Sequence, residues 1–97
     1  MNGGTKMKEI NENLKLLPQE VSGDYRFSGK MYLTIGLIAT FGDDAKIIAL
    51  MALKKVQTER VNTPTGTDYL QVFSYNDKRF WLIDDVTHIT ALLPSDY

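Results

Sequence analysis

The feature that most constrains this chain is a change of period after residue 67. Upstream, apolar residues recur at helical spacing; downstream they alternate, in three short runs with almost nothing between them. Residues 68–75, 78–84 and 86–93 each carry the β-branched, aromatic and aliphatic side chains that suit a pleated surface. Asn76-Asp77 separates the first two, and Asp84-Asp85 is expected to turn the second into the third. Strands joined by two-residue turns must pair antiparallel, so the C-terminal part is predicted to be a meander. With helices upstream, the class is α+β.

The upstream part supplies those helices. Met7, Ile10, Leu14 and Leu17 are spaced for one face of a helix over 5–17, with Thr5 as N-cap and Pro18 closing it. Residues 1–4 form an expected disordered tail, and 5–97 one domain. After a connection over 19–30, marked by Ser22-Gly23-Asp24 and Ser28-Gly29, the run 31–39 reads as a first strand. Gly36 inside it suggests a bulge or a close backbone approach. Gly42-Asp43-Asp44 then opens a second helix, with Asp43 as the expected N-cap. Ala45, Ile48, Ala49, Ala52, Leu53 and Val56 make its core face, and Ile47, Leu50 and Met51 widen the apolar arc. Such a helix is expected to be central and buried on more than one side. Lys54 and Lys55 suit its C-terminal end, and 57–67 forms a polar loop. The predicted order is α-β-α-β-β-β, with about four antiparallel strands packed against two helices.

Composition narrows the function classes. The 97 residues allow one domain. Eleven basic and twelve acidic residues give a formal charge of −1, not the basic excess by which a duplex binder neutralises phosphates. The absence of cysteine excludes disulfides and thiolate chemistry. The first residues lack the apolar stretch of a signal peptide, and the longest apolar run, 32–41, is too short to span a bilayer. A cytoplasmic address is expected.

Several residues from the expected first strand to the C-terminus also carry a resemblance. Thr34-x-Gly36 ahead of Gly42-Asp43-Asp44, then Asn62-x-Pro64-x-Gly66 running into Asp68-Tyr69, come in that order. Phe80-Trp81-x-Ile83-Asp84 and the terminal Leu93-Pro94-Ser95-Asp96-Tyr97 follow. Together they resemble a small uncharacterised family of domains of unknown function carried on proteobacterial plasmids and prophages. Thr67 stands where the family has a histidine, and the polar insertion after the Trp-x-Ile-Asp strand is missing. The resemblance implies a mobile-element setting and an α+β fold, and no activity.

Candidate chemistry is sparse. His88 is the only histidine and lies near Asp84 and Asp85, a potential ligand set for a divalent ion. With a two-residue turn at Asp84-Asp85, however, Ile83 faces Val86 and His88 sits beside Trp81 on a sheet face. Asp43 and Asp44 are adjacent at a helix start, which suits a cap and not an acid–base pair set across a cleft. No nucleophile elbow and no phosphate-cradling glycine loop occur. We therefore expect no enzyme, no cofactor and no metal.

The hairpin says more. Pairing Tyr75 with Lys78 and Phe73 with Phe80 puts Tyr69, Gln71, Phe73, Tyr75, Lys78, Phe80 and Leu82 on one face. Leu70, Val72, Ser74, Arg79, Trp81 and Ile83 fall on the other. Both faces are apolar, whereas an antiparallel sheet usually wets one. Either the two helices cover opposite faces, or aromatics pair across a half-exposed surface, or one face receives a partner. Tyr69, Phe73, Tyr75, Trp81, Asp84 and Asp85 are the residues we single out for partner contact. A protein or protein–nucleic-acid complex of the host fits better than direct nucleic-acid binding, because Asp68, Asp77, Asp84 and Asp85 ring the hairpin. The expectation is a protein-interaction module of phage or mobile-element origin, for instance an inhibitor of a CRISPR-type defence complex. A small nucleic-acid-binding regulator using the aromatic face is the alternative. A homodimer pairing the second face with itself is a third reading.

Overall fold

Asn76 and Asp77 both take positive φ, 49° and 67°, the paired left-handed conformation of a tight hairpin turn. This turn fixes the register between β3 (Leu70–Tyr75) and β4 (Lys78–Asp84), with Tyr75 opposite Lys78 and Phe73 opposite Phe80. The computed structural model describes the backbone of residues 3–97 and side chains from Lys6 onward. The class is α+β, but the sheet is larger than expected and mixed. Five strands run in the order β1-β3-β4-β5-β2, with β1 (Leu14–Leu16) and β2 (Lys30–Leu33) at the edges and β5 (His88–Leu92) inside. β2 lies parallel to β5, and every other pair is antiparallel.

The upstream elements depart from the sequence reading in three places. Helix α1 spans Gly3–Asn13 and stops there, with the Asn13 side chain donating to the Glu9 carbonyl at 2.9 Å. Leu14 to Leu16 do not continue the helix. They pair with Tyr75, Ser74 and Phe73, because the free edge of β3 offers backbone partners that a further helical turn would leave unmet. The expected tail is partly helical, since Gly3 and Gly4 belong to α1; residues 1–2 and the Thr5 side chain, the expected cap, lie outside the described residues.

The single strand expected over 31–39 is also two elements. β2 ends at Leu33, and Thr34 then caps α2 (Ile35–Phe41), its hydroxyl accepting the Leu37 N–H at 3.2 Å. Gly36 is therefore helical and not a strand bulge, although a close approach does occur there. A Cβ on it would lie 2.5 Å from an Asp96 carboxylate oxygen. The order is thus α-β-β-α-α-β-β-β.

A 3₁₀ turn, Gly42–Asp44, leads into α3 (Ala45–Glu59), which runs past Lys54 and Lys55 into the stretch read as a loop. Asp43 does not cap it. Asp44 holds the N-cap position without a side-chain cap bond, its carboxylate meeting Lys6 at 2.8 Å instead. Ala45, Ile48, Ala49, Ala52 and Val56 are buried as the spacing predicts, and the alanines let the helix lie close to the aromatic sheet. The helix is not buried on several sides: Leu50 is 48% exposed.

The three α-helices cover the same sheet face. Ile10, Leu37, Ile48, Ala49, Ala52 and Val56 form one core cluster with Phe73, Phe80, Leu82, Ile89 and Ala91. Phe73 stacks on Phe80 with centroids 5.2 Å apart, and Phe41 meets Phe80 edge-on at 5.5 Å. Among the described residues no helix is long and apolar enough to cross a membrane.

Candidate functional site

Alternation along β4 sends Phe80 and Leu82 inward and Arg79, Trp81 and Ile83 outward. Register with the neighbours then builds ordered rows on the outer face. Lys15, Ser74 and Arg79 stand across β1, β3 and β4. Next come Val72, Trp81 and Leu92, then Leu70, Ile83, Thr90 and Tyr32. Beyond them His88 pairs with Lys30. Two apolar rows therefore cross the sheet, flanked by polar ones, with Trp81 on the central strand. None of the three α-helices covers them, and Leu92 alone among them is buried.

The surface continues around the β2 edge. Ile35 is 86% exposed, and Ile38 and Tyr32 are exposed as well. After β5 a 3₁₀ turn, Pro94–Asp96, folds the chain back, and Tyr97 meets Trp81 edge-on at 5.6 Å while remaining 80% exposed. Asp96 fixes that turn: one carboxylate oxygen accepts the Thr34 hydroxyl at 2.7 Å and the Leu93 N–H at 3.0 Å.

The six residues singled out from sequence do not form one site. Trp81 is on the outer face. Phe73 lies in the core and Tyr75 is half-buried on the helix-covered side, edge-on to Phe41 at 5.7 Å, so neither belongs to the outer surface. Tyr69 is exposed just before β3 and lies against Tyr25, with centroids 6.1 Å apart.

Asp84 and Asp85 do not form a two-residue turn. Asp84 pairs with Ile89, so Trp81 faces Leu92 and Ile83 faces Thr90. Asp84 is buried, accepting the Phe27 N–H and the Val86 N–H, each at 2.8 Å. Those two residues carry positive φ of 50° and 82°, costly for large and β-branched side chains. The buried carboxylate holds both in place, a structural task.

Asp85 is exposed and organises the loop. Its carboxylate accepts the Thr87 and His88 N–H groups and the Thr87 hydroxyl, and its other oxygen lies 3.2 Å from His88 Nε2. The His88 backbone bond, with the Thr87 hydroxyl next, holds this carboxyl below its ordinary value. His88 stands edge-on to Tyr32 at 5.5 Å, not beside Trp81 as the shorter turn implied. Among the described residues no three His, Cys, Asp or Glu side chains converge as a metal site.

A polar cluster that the sequence reading did not single out sits at the inner end of β3. Gln71 is fully buried, accepting from Arg60 Nη1 at 2.6 Å and donating to Gln19 Oε1 at 2.8 Å and the Asp68 carbonyl at 2.9 Å. Arg60 also donates to the Leu17 carbonyl at 2.8 Å, and burial pushes its guanidinium below the ordinary value. The cluster stitches two loops together, and no buried polar side-chain atom among the described residues lacks a partner. An uncharged, inward-facing residue inside a strand pattern was the available signal. No family model, no curated protein and no solved structure matches the chain.

Proposed function

We propose that the protein is a non-enzymatic interaction module that seats a partner protein on the outer sheet face. One observation carries this reading: two rows of large apolar side chains, centred on Trp81 and half-buried apart from the buried Leu92, lie across a sheet whose three α-helices all pack on the other face. Contiguous apolar surface of this kind is costly to leave in water and is characteristic of association surfaces. Aliphatic side chains (Leu70, Val72, Ile83 and Leu92) dominate the rows, which suits a protein partner better than stacked bases. The mobile-element setting implied by the resemblance makes that partner a host protein, such as a subunit of a CRISPR-type defence or nucleic-acid-processing complex.

The nucleic-acid alternative draws support from Asp84. Its carboxylate, counted in the acidic rim, faces the core, while Lys15, Lys30 and Arg79 stand on the outer face. One experiment separates the readings. A photo-crosslinking amino acid is placed at Thr90, amid the apolar rows, or at Lys46, exposed on α3, and each protein is irradiated in host lysate. The protein-docking reading expects a protease-sensitive adduct from position 90 and none from 46. A nuclease-sensitive adduct from position 90 would move the reading to nucleic acid. Equal yield from both positions would remove the outer face as the site.

A further inference from the structure

The outward residues of the central strand read, in order, cation, aromatic, aliphatic, anion: Arg79, Trp81, Ile83 and, one step past the strand end, Asp85. Asp85 still belongs to this face. Its N–H donates to the His88 carbonyl at 3.1 Å, which extends the ladder by one residue, and its side chain meets that of outward-facing His88. The pattern is self-complementary about Leu82. A two-fold axis running across the strands at Leu82, in the plane of the face, would lay a second copy face to face with its β4 reversed. Arg79 then stands over Asp85 of the copy and Asp85 over its Arg79, while Trp81 and Ile83 exchange contacts. Because this axis runs across the strands, it also keeps the neighbouring strands over their own counterparts, and Gln71 and Ala91, the register partners of Leu82, lie on it. Val72 falls over Leu70, and Leu92 over Thr90.

We infer that the outer face docks a second copy of this chain through the two-fold pairing of Arg79-x-Trp81-x-Ile83-x-Asp85. The inference rests on the docking reading of that face and names an occupant for it. An isologous dimer requires one patch complementary to itself under rotation, and charges of opposite sign equidistant from the centre of an apolar strip meet that requirement. The other in-plane axis, along β4, would set Arg79 against Arg79 and Asp85 against Asp85, so the charges select one orientation. Asp85 is ionised at neutral pH as an ordinary carboxylate is, and the bonds from His88 and Thr87 hold its carboxyl lower still. Sheets stacked face to face lie about 10 Å apart and turned by about 30°, a span that an arginine side chain can bridge toward an aspartate.

The pairing is expected to be weak. Five strands at about 4.8 Å spacing and roughly 20 Å of strand length give a face of about 500 Å². That is below the roughly 800 Å² per partner of a standard interface, so dissociation constants on the order of 10–100 µM are expected. A weak pair shields the apolar rows when the protein is concentrated and yields to a tighter host partner.

Sedimentation velocity on the full chain from about 5 to about 500 µM, a range bracketing that affinity, tests the inference. The parent should move from monomer to dimer across the range. Arg79→Asp sets like charges opposite each other twice and should weaken the dimer at least about tenfold. Lys46→Asp, on the helix side, should leave it unchanged. Asp85→Lys should weaken the dimer as Arg79→Asp does, and an equimolar mixture of the two variants should associate again. If circular dichroism shows Asp85→Lys unfolded, Arg79→Asp against Lys46→Asp decides alone. A parent that stays monomeric throughout, or an Arg79→Asp dimer as tight as the parent's, overturns the self-pairing. The docking reading falls separately, when the Thr90 crosslinker gives no more adduct in lysate than the one at Lys46.

Discussion

The two faces of one sheet differ more here than their amino acids do. The inner face carries Phe73, Phe80, Leu82, Ile89 and Ala91, all excluded from solvent beneath three helices. The outer face carries Leu70, Val72, Trp81 and Ile83, all half-buried, and Leu92, buried at 5% exposure, as apolar a set, yet none of the three α-helices lies over it. Both sets arise from the same strands by alternation, so hydrophobicity alone does not separate what holds the fold from what is left for a partner. The connections do. α1, α2 and α3 each return to the same side, and the chain past β5 contributes only a 3₁₀ turn and Tyr97 to the other. In a 97-residue domain one covered face is enough for a core.

The comparison is broken most directly at adjacent residues. Phe80→Ala removes a ring held between Phe73 and Phe41 and leaves a cavity under α3, with an expected loss of about 3–5 kcal/mol of stability. Trp81→Ala, one position along on the open side, is expected to cost about 1 kcal/mol while removing the centre of the docking surface. Urea unfolding of the two variants beside the parent checks the difference. Comparable losses would mean that the outer face also holds the fold.

Alternation is also what made parts of this molecule readable. The β3–β4 hairpin could be assigned residue by residue, because six- and seven-residue alternating runs flank an Asn-Asp turn whose positive φ those residues tolerate. The buried side of α3 was equally plain from Ala45, Ile48, Ala49, Ala52 and Val56. Leu14-Lys15-Leu16 was not, since three residues fit the end of a helical period as well as the start of an extended one. The apolar run from Met31 to Phe41 hid a strand and a helix for the same reason, and Thr34, three residues before Leu37, was the overlooked cap. The parallel pairing of β2 with β5 joins residues nearly sixty apart and leaves no local trace. Alternation alone places the outward residues of β3 and β4. Whether a helix covered the outer face depended on those unread connections.

Asp84 marks where reading it as a turn residue went astray, and it supplies the next test. Continuing the alternation from Phe80 and Leu82 places it inward, where its carboxylate binds the amides of Phe27 and Val86. Asp84→Asn keeps one acceptor oxygen but turns an amide NH₂ toward a backbone donor. The expected loss is about 2–3 kcal/mol, intermediate between the two previous variants. Because the carboxylate anchors Phe27 in the inner core, hydrogen exchange at Phe27 and Val86 should accelerate together. Unchanged exchange at both would show that the left-handed backbone there is held by packing alone.

The smallest effect concerns Asp85, its immediate neighbour on the open side. Its carboxyl is held below the ordinary value of 3.8, chiefly by the His88 backbone bond. A group whose pKa is lower folded than unfolded binds fewer protons in the native state, so its contribution is complete above the unfolded value. That contribution declines as pH falls through the folded value. Titrations of the parent and Asp85→Asn should therefore differ by a constant, small amount from neutral pH down to the ordinary carboxylate range, and converge below it. The sign separates the neighbours. Asp85 organises an exposed loop that water can also solvate, so its loss shifts the urea midpoint only slightly, whereas Asp84 has no solvent to replace its partners. A midpoint difference that widens as the pH drops would reverse the assignment and make the protonated Asp85 the form the folded loop prefers.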